Sequence, residues 1–343
     1  MRIAICGSHG KTTITSMVMH VLRKAGMHFD YLVGAQLEGF NTMVQLSHAP
    51  VIIIEGDEYF ASPLDKRPKF LLYHADTILV SGIAWDHYNV FPTYDAYVST
   101  FHSLLRSMPA SGTCYYYAGD AEIKRLLDAG DSLAENIPYT APHYTTHDNG
   151  TALKYAGKEY IFPVIGRHNM ENMEGAKCIC TQLGISASDF YTYMQTFRGA
   201  AKRMQVLRST DDHIIYRDFA HAPSKVKATV QAIKEQYPGK QLAACLELHT
   251  FSSLNMDFIP QYAGTMSAAD HRIVYFNPHA VALKKLPPLD PDAVRTAMQD
   301  PHLIVTDNAE TLKSELEKIN NVNTHILLMS SGNYDNLDFG FLT

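Results

Sequence analysis

The chain has 343 residues, of which 46% are hydrophobic and 19% are charged, and its formal net charge is −6. This length suits two domains, each with a core of its own. A mildly acidic chain lacks the basic surface that nucleic acids and anionic membranes require, and its longest apolar runs, such as 51–54 and 326–329, are far too short to span a bilayer.

The cysteines bear on the compartment. Five are present, and only Cys178 and Cys180 are close in sequence, on one predicted helix. An odd number without metal-binding spacing is typical of reduced thiols, which predicts a cytoplasmic protein. The first residues do not resemble a secretory signal, because Gly7, His9 and Lys11 interrupt any apolar stretch.

The first half of the chain alternates short apolar runs with amphipathic stretches. Such alternation predicts an α/β domain with a mostly parallel sheet covered on both faces. In chain order, the patterns predict a strand at 2–6, a helix ending near Gly26, strands at 50–55 and 77–83, a helix capped by Thr93, a strand at 113–117 and a helix ending in Gly130.

The same alternation restarts near residue 200. Before it, the pattern predicts a hairpin around Gly157 and two helices between 169 and 197. After it, a strand is predicted at 214–218, a helix at 224–237, and further strands at 242–247, 272–276, 303–305 and 325–329. We therefore expect one α/β domain at 1–199, of the P-loop ATPase type given the glycine-lysine loop at 6–13, and a Rossmann-like α/β domain at 200–343.

A phosphate-binding loop is predicted directly after the first strand. Residues 6–13 read CGSHGKTT and lie between a strand and a helix, so backbone N–H groups at the helix start would face an anion. Lys11 would reach the β- and γ-phosphates, and the Thr12 hydroxyl would ligate Mg²⁺. The strict pattern has a glycine five residues before Gly10, where this chain has Ile5. A plain glycine turn is the alternative.

Two further clusters follow strands of the same predicted sheet. Glu55, Asp57 and Glu58 come at the end of the strand at 50–55, where a second Mg²⁺ ligand is expected, and Glu55 is the first acid off the strand. Asp86 and His87 follow the next strand, so His87 is predicted to ligate a second metal or to contact the γ-phosphate. A solvated acidic turn and a structural histidine are the corresponding alternatives.

Five motifs in order resemble those of the Mur ligase family, whose members are ATP-dependent amide ligases of peptidoglycan assembly. The resemblance covers nearly the whole chain, from residue 3 to about residue 335. The motifs are GSHGKTT at 7–13, EGDEY at 55–59, WDH at 85–87, GRHNMEN at 166–172 and DFAHAP at 218–223.

The resemblance implies a reaction and a domain plan. The stretch 55–70 is most similar to the branch that joins UDP-N-acetylmuramate to L-alanyl-γ-D-glutamyl-meso-diaminopimelate through an acyl phosphate. The branch that uses L-alanine as the amine is the alternative. The family has a UDP-binding domain, an ATPase domain and a C-terminal domain for the amino acid or peptide, and this sequence is expected to match only the last two.

The resemblance also assigns roles to residues, with ATP and Mg²⁺ as cofactors. Lys11, His87 and Arg203 are implied to act in catalysis, and Thr12, Glu55 and His87 to hold metal. Asn169 and Asn172 are implied to hold adenine, Arg203 the ATP phosphates, and Asp218 the ribose. The implied ATP-binding residues are Gly7, Ser8, His9, Gly10, Lys11, Thr12, Thr13, Asn169, Asn172, Arg203, Asp218 and His221.

This chain departs from the family at two positions. Gly82 stands where the family often has asparagine. His102 stands where several branches carry a carbamylated lysine, so no carbamylation is expected there. His102 either takes the place of that lysine or packs in the core.

Polar residues after a strand of the second domain predict an acceptor site. His249, Ser252, Ser253 and Asn255 follow the strand at 242–247 and would face the cleft that binds the incoming amino acid or peptide. An ordinary polar loop is the alternative. Two other classes of protein stay open at this point, a small-molecule kinase and a nucleotide-binding fragment without ligase activity.

Overall fold

The computed structural model describes residues 1–37, 39–130, 132–148, 150–199, 204–210, 212–321 and 323–342. The chain divides into two compact units, one formed by 1–86 and 90–201 and the other by 87–89 and 202–343. Each unit contains a mostly parallel sheet flanked by helices, which confirms the predicted α/β fold class.

The first unit contains a large sheet, a small sheet and the helices that cover them. Its strands are β1 Arg2–Cys6, β2 Asp30–Leu32, β3 Val44–Gln45, β4 Ile52–Glu55, β5 Thr77–Val80, β6 Thr113–Tyr117, β7 Glu135–Tyr139, β8 Thr145–His147, β9 Gly150–Tyr155 and β10 Lys158–Phe162. Its helices are α1 Lys11–Lys24, α2 Lys69–Leu72, α3 Tyr94–Arg106, α4 Ala121–Asp128, α5 Arg167–Gln182 and α6 Ala187–Met194.

Among the described residues, the large sheet has seven strands in the order β3-β2-β4-β1-β5-β6-β7. Only the edge pair of β2 and β3 is antiparallel within it. Ile5 of β1 pairs with Glu55 of β4 on one side and with Leu79 of β5 on the other. The segments that follow these three strands therefore meet at one edge of the sheet.

Helix α1 begins at this edge of the sheet, and its sequence accounts for its ends and its buried face. Gly10 precedes it with φ of +78°, and the buried residues Ile14, Met17, Val18, Val21 and Leu22 fall on the face that packs on the sheet. Gly26 follows the helix with φ of +68°, a conformation in which a side chain would be strained, so the predicted helix end is confirmed. The predicted cap of α3 is confirmed as well, because Thr93 accepts a hydrogen bond from the N–H of Ala96.

The predicted hairpin lies in the small antiparallel sheet. Strands β9 and β10 are joined by Ala156 and Gly157, which both have positive φ, at +49° and +79°. Strand β7 was not predicted, because Pro138 interrupts its pattern, and proline is tolerated there since β7 is an edge strand.

Within its described residues, the second unit contains one sheet with the strand order β11-β12-β16-β13-β14-β15, in which only the pair of β11 and β12 is antiparallel. Its elements are β11 Gln205–Ser209, β12 Ile214–Asp218, α7 Pro223–Gln236, β13 Gln241–Leu248, β14 His271–Phe276, α8 Pro278–Leu283, α9 Pro291–Ala297, β15 Ile304–Thr306, α10 Ala309–Ile319 and β16 Thr324–Met329, with 3₁₀ turns at Ile259–Tyr262, Tyr334–Asn336 and Phe339–Leu342. The central strands β13 and β16 are buried almost throughout, as their continuous apolar runs predict.

Helices flank the sheets in both units. In the ranges given above, none is long and apolar enough to pass through a bilayer. Cys180 lies on α5 and is fully buried, which agrees with a packing role.

Candidate nucleotide and acceptor sites

The loop from Gly7 to Gly10 connects β1 to α1 and is closely packed. Gly7 has φ of +127°, and a Cβ there would lie 2.3 Å from Ser81 Oγ. A Cβ on Gly10 would lie 2.4 Å from Asn172 Oδ1. The N–H of Ser8 donates to the carbonyl of Gly82 at 3.0 Å, which ties the loop to the segment after β5. Both glycines are thus required by close approach as well as by φ.

Lys11 lies at the start of α1 with its ammonium group against the loop. Its Nζ donates to the carbonyl oxygen of Gly7 and to Oε2 of Glu58, each at 2.6 Å. Glu58 is completely buried. Burial alone would lower the pKa of Lys11, but the charge of Glu58 and its hydrogen bond outweigh burial, and the pKa is raised.

The predicted pair of Thr12 and Glu55 is in direct contact. Thr12 Oγ1 donates to Glu55 Oε1 at 2.8 Å, and Glu55 Oε2 accepts from the N–H of Gly34 at 3.1 Å. A hydroxyl and a carboxylate fit Mg²⁺, which takes oxygen ligands and keeps several waters. Asp57 is directed elsewhere, since its Oδ2 lies 2.7 Å from the ammonium of Lys69.

The described part of the chain contains no preformed group of three or more His, Cys, Asp or Glu side chains that could hold a metal ion. A site of one hydroxyl and one carboxylate is completed by phosphate oxygens and water, so this finding is compatible with Mg²⁺ bound together with a nucleotide.

The two asparagines at the start of α5 differ in their surroundings. Asn169 is half-buried, and its Nδ2 donates to the carbonyl of Ile165 at 2.9 Å. Asn172 is buried, and its Oδ1 packs against Gly10 of the loop. Both therefore lie in the first unit, with Asn172 directly beside the loop from Gly7 to Gly10. Their contact with adenine stays a prediction.

The departure at Gly82 has a steric cause. Gly82 has φ of +154°, and a Cβ there would lie 2.6 Å from Cε1 of His9. An asparagine at this position would collide with the imidazole in the present arrangement. Asp86 is buried at the end of the same segment. His87 groups with the second unit, and its part in a metal site stays a prediction.

In the second unit, Asp218 is the last residue of β12, and His221 lies in the loop that follows it. Asp218 is buried, and its two carboxylate oxygens accept the N–H groups of Met204 and Ala220, each at 2.7 Å. His221 Nδ1 lies 2.8 Å from the carbonyl of Phe219. Asp218 therefore holds the start of the loop after β12 and the residue before β11, and its contact with ribose stays a prediction.

The predicted acceptor residues follow β13 and have unlike environments. His249 is 36% exposed in its side chain, and its Nδ1 lies 3.7 Å from Oε1 of the buried Glu247. Ser253 is buried, and its hydroxyl bonds Thr250. Ser252 Oγ accepts a hydrogen bond from the N–H of Tyr88 at 2.9 Å, within the same unit. Asn255 Oδ1 accepts one from the N–H of Asp257, also at 2.9 Å.

Three further residues with predicted roles are Arg203, His102 and Thr13. Arg203 lies outside the described residues, so its role stays a prediction. His102 is half-buried on α3, and both readings of it remain open. Thr13 lies in the first turn of α1 next to Thr12, and its carbonyl accepts a hydrogen bond from the hydroxyl of Ser16 at 2.8 Å. Tyr97 is buried on α3, and its hydroxyl reaches Ser8 of the loop from Gly7 to Gly10, although no sequence signal distinguishes it from a core tyrosine.

Two curated relatives are similar in sequence to most of this chain. A curated relative from Haemophilus influenzae, UDP-N-acetylmuramate–L-alanyl-γ-D-glutamyl-meso-2,6-diaminoheptandioate ligase, is 31% identical over 249 residues, covering 69% of this chain and 54% of the relative. The UDP-N-acetylmuramate–L-alanine ligase of Desulfitobacterium hafniense is 23% identical over 281 residues, covering 79% of this chain and 61% of the relative. The chain thus spans between about half and two thirds of the length of these relatives.

A crystal structure of a murein peptide ligase from Psychrobacter arcticus has the same fold, with a TM-score of 0.66 at 21% identity, covering 98% of this chain and 75% of that one. The family model of the Mur ligase middle domain matches residues 5–180, and that of the Mur ligase, glutamate ligase domain matches residues 202–332. Since the middle-domain model alone matches more than half of the 343 residues, this chain belongs to the Mur ligase family.

Proposed function

We propose that this chain carries the nucleotide and acceptor chemistry of an ATP-dependent amide ligase of peptidoglycan metabolism. The γ-phosphoryl group of ATP moves to a carboxylate oxygen of UDP-N-acetylmuramate, giving an acyl phosphate and ADP. The amine of L-alanyl-γ-D-glutamyl-meso-diaminopimelate then attacks the carbonyl carbon. The bond from that carbon to the phosphate oxygen breaks, and the nitrogen loses a proton, which leaves an amide and free phosphate.

The contact of Thr12 and Lys11 with the acids at the end of β4 and just after it is the observation that carries this proposal. A phosphate loop by itself indicates only an anion site. Here Thr12 bonds Glu55 at 2.8 Å and Lys11 bonds Glu58 at 2.6 Å, so a hydroxyl, a carboxylate and an ammonium lie at one edge of the sheet. That set is suited to a magnesium-bound triphosphate.

Each side chain then has a defined task. The N–H groups at the start of α1 and the ammonium of Lys11 bind phosphate oxygens and offset their charge. Thr12 and Glu55 would hold Mg²⁺, which when bound neutralises negative charge on phosphate oxygens. Asn169 and Asp218 are proposed to orient the nucleoside, and His249 to meet the acceptor. A cytoplasmic location goes with these substrates as a prediction.

Two alternatives keep some support. The similarity to an L-alanine ligase favours L-alanine as a second candidate for the amine. A nucleotide-binding chain without turnover is the other alternative, and the chain spans about half of the length of its Haemophilus influenzae relative.

The decisive experiment measures phosphate release from ATP and Mg²⁺ with each combination of substrates. Release that requires both UDP-N-acetylmuramate and the tripeptide supports the proposal, and release that requires L-alanine supports the second candidate. Release that requires only the sugar nucleotide contradicts a ligase. Lys11→Ala is the control, since all true turnover should be lost in it. ATP binding without release under any pairing supports the fragment.

A further inference from the structure

A buried hydrogen-bonded network lies beneath the phosphate loop and joins three parts of the first unit. Glu58 lies three residues after β4, and none of its surface is exposed. Its Oε2 accepts from Lys11 at 2.6 Å. Lys11 also donates to the carbonyl of Gly7, so two of its three N–H donors are used among the described residues.

Tyr97 completes this network from helix α3. It is fully buried, and its hydroxyl lies 2.7 Å from Ser8 Oγ and 3.3 Å from Glu58 Oε1. The same Ser8 Oγ accepts from the N–H of Ala84 at 2.8 Å. Burial, and then the charge of Glu58, raise the pKa of Tyr97 well above its ordinary value, so the hydroxyl keeps its proton.

Burying such a network costs free energy of folding. A buried carboxylate and a partly buried ammonium each lose solvation, and a well-packed apolar pair is often as stable as a buried ion pair. This ion pair also places a negative charge next to the loop that is proposed to bind a triphosphate. The carboxylate must therefore oppose nucleotide binding while it holds the ammonium in one orientation.

We propose that Glu58 and Tyr97 are positioning residues that aim the Lys11 ammonium at the transferred phosphoryl group. Glu58 and Gly7 hold two N–H groups of Lys11, which leaves the third directed to a ligand. Tyr97 holds Glu58 and Ser8 in register, so the lysine and the loop keep a common geometry. This inference rests on the proposed function for the phosphoryl-transfer step, but its effect on nucleotide binding does not depend on turnover.

The test compares Tyr97→Phe and Glu58→Gln with a matched control on the same helix. Tyr94 also lies on α3, and its hydroxyl also bonds a carboxylate, that of Glu122 at 3.2 Å, away from the loop. Tyr94→Phe therefore removes the same kind of bond. For each variant, calorimetry gives the Kd of ATP·Mg²⁺, thermal unfolding gives Tm, and phosphate release is measured at saturating ATP.

Glu58→Gln is expected to bind ATP about fivefold more tightly at low salt, because a negative charge near the phosphates is removed. Tyr97→Phe is expected to leave that Kd within about threefold and to lower the phosphate-release rate about tenfold. Tyr94→Phe should change neither quantity. Equal or weaker ATP binding by a folded Glu58→Gln, or an unchanged rate in Tyr97→Phe, would overturn the inference.

The two proposals fail in different ways. If wild-type protein releases no phosphate under any pairing, the proposed ligase function fails, while the Kd of Glu58→Gln still decides the role of Glu58. If Glu58→Gln does not fold, the measurements on Tyr97→Phe decide. A lower Tm with an unchanged phosphate-release rate indicates a purely structural network and refutes positioning. A lower Tm with an ATP Kd weakened as much as the phosphate-release rate has the same meaning.

Discussion

Thr12 Oγ1 donates a hydrogen bond to Glu55 Oε1 over 2.8 Å, although the two residues are 43 positions apart in the chain. They meet because β1 and β4 are parallel neighbours, with Ile5 opposite Glu55. The N–H of Gly34 bonds the second oxygen of the same carboxylate. A hydroxyl and an oriented carboxylate are thus held together at this edge of the sheet.

The first prediction concerns the metal. In Glu55→Gln, the amide is a weaker Mg²⁺ ligand than the carboxylate, so the Mg²⁺ concentration that half-supports ATP binding should rise about tenfold. Asp57→Asn is the matched control, because Asp57 carries the same charge two residues away and pairs with Lys69. That variant should shift the midpoint less than about twofold. A similar shift in both variants would mean that local charge alone is responsible.

The second prediction separates close packing from backbone strain at the phosphate loop. Gly10 and Gly130 both have φ of +78°, but only Gly10 has a neighbour, Asn172, where a Cβ would go. Gly130→Ala should therefore lower the free energy of unfolding by about 1 kcal/mol, and Gly10→Ala by about 2 to 4 kcal/mol with loss of ATP binding. Urea unfolding and calorimetry provide both measurements. Equal losses of stability would show that Asn172 yields without cost.

The third prediction concerns acid stability of the second unit. His325 is 2% exposed, and burial, followed by Lys240 and His213, lowers its pKa to about 4. Its Nδ1 accepts from the N–H of Ile214 at 3.1 Å, which requires the neutral ring. Because the unfolded chain takes up this proton below about pH 6.5, the contribution of His325 is fully present above that pH and is lost as the pH falls to about 4.

His325→Asn tests this linkage, since asparagine keeps an acceptor and cannot titrate. Relative to the wild type, the variant should gain about 2 to 3 kcal/mol of unfolding free energy between pH 7 and pH 4, measured with urea and circular dichroism. A difference between the two proteins that stays constant with pH would contradict a depressed pKa in the folded state.

The fourth prediction concerns the acceptor. His249 is half-buried at the carboxyl end of β13, beside the buried carboxylate of Glu247. If it meets the acceptor, His249→Asn should raise the KM for that substrate about tenfold and leave the KM for ATP within about twofold. His279, which is exposed on α8, provides the control His279→Asn. A change in the KM for ATP instead would assign His249 to the nucleotide.

Much of the fold could be predicted because its signals are local. The apolar runs of β1, β4 and β5, the helical spacing in α1 and the cap at Thr93 are each contained in a few consecutive residues. Strands β2 and β3 were missed because they are only three and two residues long and carry little periodicity of their own. Their pairing is decided by the strands beside them.

The candidate site also has features that local sequence predicts and features that only packing decides. The sequence alone determined that a lysine and a threonine follow a glycine turn between a strand and a helix, and that acids end a later strand, because spacing along the chain is enough to establish both. Only the tertiary structure decided which acid meets which partner: Glu55 bonds Thr12, Glu58 bonds Lys11 and Tyr97, and Asp57 turns to Lys69. The positions of the three acids within four consecutive residues hardly distinguish one acid from another. They differ in burial and direction, and those are set by the elements that pack around them.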